Sequence, residues 1–117
     1  MFAKSVGAVL CLTAAVIAAA QMSPAGARFM QEVNGSMERM DRQMTEAPIN
    51  GNIDHDFASM MIPHHQGAID MAKAELLYGK NPVMRRLAQE ILVDQQSEID
   101  AMHLWLERTA GDPQEEK

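Results

Sequence analysis

Aromatic side chains make up only 4% of this 117-residue chain, one Trp, one Tyr and three Phe, so rings cannot dominate its core. Cysteine is scarcer: the one thiol is Cys11, inside an N-terminal apolar run. A single Cys excludes an internal disulfide, and stability must come from packing. Basic residues are also short, with 10 Lys and Arg against 16 Asp and Glu and a net charge of −6. That sign argues against nucleic acid and anionic membrane surfaces as partners. The two-residue alternation of a half-buried strand is missing throughout. Methionine is in surplus, with 11 residues, most of them beyond residue 25.

The N-terminal segment has the pattern of a secretory signal peptide. Lys4 is the only charge before the run Val6 to Ala20, and Ala18, Ala19 and Ala20 supply small residues for a peptidase. The run is shorter than the ~20 residues needed to span a bilayer, which favours cleavage over a retained anchor. The expected cut follows residue 20, with Ala25-Gly26-Ala27 as an alternative site ending at residue 27. Removal of residues 1–20 takes Lys4 and Cys11 away, leaving 9 basic against 16 acidic side chains, a net −7. A soft-metal site in the remainder must use Met sulfur. The expected location is the periplasm or the exterior, with no membrane contact after cleavage.

Beyond it, apolar residues recur at three and four, which predicts an all-α bundle of three main helices over residues 25–110. The first is expected over about 25–46, with Met30, Val33, Met37, Met40 and Met44 forming one seam and Gly35 and Ser36 weakening its middle. Ala47 to Gly51 makes a turn. The second is expected over Ile53 to Leu77, capped by Asn52 or Asp54 and ended by Gly79. Its expected core stripe is Phe57, Met60, His64, Gly67 or Ala68, Met71 and Tyr78. Pro63 lies inside this helix and is expected to bend it beside the His pair. Gly67 and Ala68 invite close approach by another helix. The third starts at Asn81-Pro82 and stops before Gly111, with Met84, Leu87, Ile91, Gln95, Glu98, Met102 and Leu106 facing inward. The charged tail, residues 111–117, is expected to be disordered.

The chemistry concentrates in Met60-Met61-Ile62-Pro63-His64-His65, where each Met precedes a His by four residues and is its neighbour on a helix. A neutral thioether with an imidazole suits Cu(I), and next Ag(I), better than hard cations; Zn(II) stays open. Two consecutive imidazoles point about 100° apart on a helix, so they cannot share one apolar environment. At least one needs a polar or metallic partner. If His64 is the inward ring, Glu98 is the acceptor that would orient it, either as support for a metal-bound imidazole or as a plain His-Glu hydrogen bond. His55 is expected at the surface, and Trp105 as a core anchor.

Two blocks resemble a known family, the exported bacterial proteins grouped as domain of unknown function 305. One runs from Asp56 to Ala72 around the double His; in the other, Ile91, Gln95, Glu98, Ile99, Met102, Trp105 and Leu106 fall at the family's spacing. The resemblance implies a ferritin-like antiparallel bundle that holds copper between helices. By matching position it assigns Met60, Met61, His64, His65, Met71 and Met102 to the metal, with Glu98 behind them. Met37, Met40 and Met44 fit a looser Met-rich tendency, and His103 is a weaker candidate of this chain. With three helices, the fourth of a full bundle is missing or comes from a second copy.

Packing competes with ligation at each Met. It leads for Met30, Met37, Met40, Met44 and Met84, and the adjacent His pair reverses the balance for Met60 and Met61. Three functions follow. The first is a protein that stores Cu(I) or passes it to a periplasmic partner, conferring copper tolerance. The second is a di-iron enzyme, for which Asp100-Ala-Met-His103 is the nearest approach to the helical Glu-x-x-His pairs such a site needs, so no catalysis is expected. The third is a metal-free module whose Met-lined face binds a partner helix, with a dimer through the first helix.

Overall fold

The structure, a computed structural model, describes residues 21–111, so the expected signal peptide at 1–20 and the tail from residue 112 lie outside the described residues. Those residues form three helices and no strand: α1 (Pro24–Thr45), α2 (Ile53–Tyr78) and α3 (Pro82–Thr109). None of the three is long and apolar enough to cross a membrane.

Local chemistry accounts for the boundaries. Ser23 accepts from the Gly26 amide at 3.0 Å and Pro24 opens α1. Asn52 accepts from the amides of Asp54 and His55 at 2.9 and 3.1 Å, and Asn81 does the same for Val83 and Met84 ahead of Pro82. Each cap satisfies amides that a helix start leaves free. α2 runs unbroken through Pro63. At its end Gly79 is extended (φ −73°) rather than left-handed. The Arg85 guanidinium instead donates to the carbonyls of Leu76 and Gly79 at 2.6 and 3.0 Å, a closing contact that the sequence did not advertise.

Gly51 turns the chain between α1 and α2 at φ 91°, a conformation that favours glycine. Asp56 anchors this turn by accepting from the amides of Asn50 (2.9 Å) and Gly51 (3.1 Å), while His55 Nδ1 lies 3.0 Å from the same carboxylate. The His55 contact first, then the Asn50 amide, hold the Asp56 carboxyl below the ordinary carboxylate range. A depressed folded value means the contribution to stability is complete above the unfolded pKa and is lost as pH falls through the folded one. Asp56→Asn should therefore melt below wild type at neutral pH, and the gap should narrow as the pH falls below the ordinary carboxylate range. Thermal melts across that range check it; a gap that stays constant with pH would remove Asp56 from this role.

α2 is the central helix, packed on both α1 and α3, whereas α1 and α3 make no contact with each other among the described residues. The α1/α2 seam is closest at Gly67, where a Cβ would lie 2.7 Å from Met40 Sδ and 3.1 Å from Met40 Cβ, as expected for a small residue there. Ser36, expected to weaken α1, is instead the most deeply buried side chain, donating its hydroxyl to the Gly67 carbonyl at 3.1 Å. The buried apolar residues are mostly small: Ala58, Ile69, Ala72, Ala74, Ala88 and Ile99. The anticipated stripes need correction. Phe57 is 59% exposed, and Met84, Leu87 and Ile91 are exposed as well. In a three-helix layer a stripe is covered only where it meets a neighbour, and these residues lie beside the seams.

Candidate metal centre

Several of the residues that the sequence singles out meet at the α2/α3 seam. His65 Nε2 lies 2.7 Å from Glu98 Oε2, with the imidazole 16% and the carboxylate 57% exposed. The inward ring is thus His65; His64, the one that the sequence paired conditionally with Glu98, is exposed. The two rings meet edge to face, with centroids 6.1 Å apart. An ionised carboxylate only accepts, so Nε2 carries the proton and, in the neutral ring, the lone pair is on Nδ1. That nitrogen is covered and has no hydrogen-bond partner among the described residues. Buried polar atoms nearly always have one. Gln95 Oε1, three residues before Glu98, is orphaned in the same way. Its inward position was legible in the helical spacing; its lack of a partner was not.

One turn from His65 and Glu98, α2 presents Met61 and α3 presents Met102, both half-buried. Met102 lines a cavity with Phe57, Ala58 and Trp105. His65 and Glu98 are thus in contact, with His64 beside His65, Met61 one turn away along α2 and Met102 one turn away along α3. Met60 lies on the flank of α2 nearer α1, and Met71 is two turns from His64, about 10 Å along the axis. Met40 packs on Gly67, while Met37 and Met44 lie to one side of that seam, Met37 exposed and Met44 half-buried. His103 is placed apart, in a groove on the opposite side with Gln43, Pro63 and Gln66. His55 is occupied by Asp56. No three His, Cys, Asp or Glu side chains gather as a possible metal group among the described residues.

Comparison with known proteins follows the same residues. The model of the family described as domain of unknown function (DUF305) matches residues 10–106, which includes both the His pair and the α3 residues facing it. The chain belongs to the DUF305 family. An uncharacterized protein of Acanthamoeba polyphaga mimivirus, L153, is 40% identical over 50 residues, or 43% of this chain and 33% of the viral one. The chain thus spans about a third of that relative's length.

Proposed function

We propose that this is an exported protein that binds Cu(I), and Ag(I) in the same manner, between its helices, storing copper or passing it to a periplasmic partner. The observation that carries the reading is the covered, unpartnered Nδ1 of His65. Its opposite nitrogen is held by Glu98, the arrangement that fixes a ring for metal binding. Met61 and Met102 stand one turn away with soft sulfur donors, which fits a soft monovalent cation. His65, Met61 and Met102 would hold the ion, with His64 at its exposed side. Met60, Met71, Met37 and Met44 would serve as outlying donors. The proposal contains no catalytic step. Export rests on the pattern of residues 1–20.

We further propose an antiparallel, ferritin-like arrangement. Arg85 reaches Leu76, Glu98 meets His65, and Met102 shares a cavity with Ala58, so numbers fall along α2 as they rise along α3. The competing reading, a metal-free interaction module, is favoured by the exposure of Phe57 and Leu87. Anaerobic titration of Cu(I) against a chromophoric chelator separates the two. Competition by wild type that is lost in the His64→Ala/His65→Ala double variant supports a Met/His copper site; no competition by either protein leaves the interaction module.

A further inference from the structure

The two sides of the helical layer differ in chemistry. On one, Asp70 is bonded to Arg39 and Gln66 and lies 3.9 Å from Lys73. His103 and Gln43 share that side. The other side is mostly soft and apolar, with His64 and Glu98 set among its Met residues. On α1, Met30, Met37 and Met44 recur every seven residues and lie about 140–180° around the helix from Arg39. On α2, Phe57, Met61, His64, Ala68 and Met71 fall within an arc of about 80°. On α3, Met84, Ile91, Glu98 and Trp105 also recur every seven, and the cavity shared by Phe57, Met102 and Trp105 puts this set beside that of α2. Seven-residue apolar repeats face other helices. Here Met37, Met84 and Ile91 of these repeats are 44, 47 and 37% exposed and the neighbouring Leu87 is 41% exposed, while Met44 and Trp105 are half-buried.

We infer that a second copy of this chain docks on this side, enclosing the Met and His donors between the two copies. A layer of amphipathic helices needs a second layer to bury its apolar side. Three helices of 22, 26 and 28 residues, about 10 Å apart and 1.5 Å per residue long, present roughly 1,000 Å² here. A stable interface takes about 800 Å² from each partner. A lone helix would cover about a third of the face, whereas a second copy covers it all and brings the same Met donors to the open side of His64. Docking by this side leaves the Arg39, Asp70 and Lys73 cluster in water. The enclosure of metal donors rests on the copper reading, while the docking does not.

The test is sedimentation of the purified protein over a micromolar range, with and without Cu(I), beside a Leu87→Asp/Ile91→Asp variant and a Val93→Asp control. Val93 is 69% exposed and lies outside the α3 repeat. Wild type and the control should be dimers. The double Asp variant should raise the dimer Kd at least about 100-fold while keeping its helical circular dichroism, since both of its positions are already exposed in one copy. A monomeric wild type, or a dimer that survives the double Asp change, overturns the docking. A monomer that still binds Cu(I) through His65 would leave the copper reading standing without this interface; a dimer that binds no Cu(I) would do the reverse.

Discussion

Replacing His65 by Ala is expected to weaken Cu(I) binding by at least about 100-fold, and replacing His64 by Ala to weaken it far less. The asymmetry follows from burial and support rather than from residue type, because both positions are imidazoles on the same turn. His65, on the α3 side of α2, is oriented by a 2.7 Å contact to Glu98, and its other ring nitrogen is covered with no hydrogen-bond partner among the described residues. His64 is exposed, and holding its ring in one rotamer for a metal costs side-chain entropy. Glu98→Gln should fall between the two, about 10- to 100-fold, since it keeps a hydrogen-bond acceptor and loses the charge that orients and strengthens the imidazole. Competition with a Cu(I) chelator measures all three, and melting of metal-free protein supplies the control. If His65→Ala binds as wild type does, the orphaned nitrogen is a feature of packing and the copper site falls. If binding survives but the metal-free protein melts much lower, the His65 and Glu98 pair is a structural bond.

The second large effect is expected at Gly67, where Gly67→Val should destabilise the protein by about 3 kcal/mol and lower its melting temperature by about 15 °C. The carbonyl of Gly67 receives the Ser36 hydroxyl, and Met40 lies across its Cα, so a branched side chain meets the Met40 stem and not merely its flexible tip. Moving α1 outward to make room would also strip Ser36 of its acceptor, leaving a buried hydroxyl unpaired. The smaller change Gly67→Ala should be partly rescued by Met40→Ala, because the two side chains compete for one space. Additive losses in that double variant would show that the seam is not closed by this contact. The Gly67→Val variant, if it still folds, should retain Cu(I) binding by His65, which lies on the α3 side of α2.

Much of the secondary structure was legible because caps and breakers act locally. Asn52, Asn81-Pro82 and Asn50-Gly51 set helix ends through bonds that span a few residues, and the observed limits fall within a residue or so of those expected. The family was legible too, from the two blocks around α2 and α3. The misses are those of rotation and partnership. Seven-residue spacing states that Met84, Ile91 and Trp105 share a side of α3, but not whether that side meets α2 or water.

The sequence by itself determined three helices, their ends, and the chemistry available at the His pair, since each of these depends on neighbours along the chain. Only the tertiary structure decided that His65 and not His64 turns to Glu98, and that Ser36 is buried by Gly67. It alone showed that α1 and α3 stand apart among the described residues, with the Met stripes outside the core. Helical periodicity fixes angles between residues on one helix, whereas the angle between that helix and its neighbours is set by where small residues such as Gly67 and Ala58 let two backbones approach.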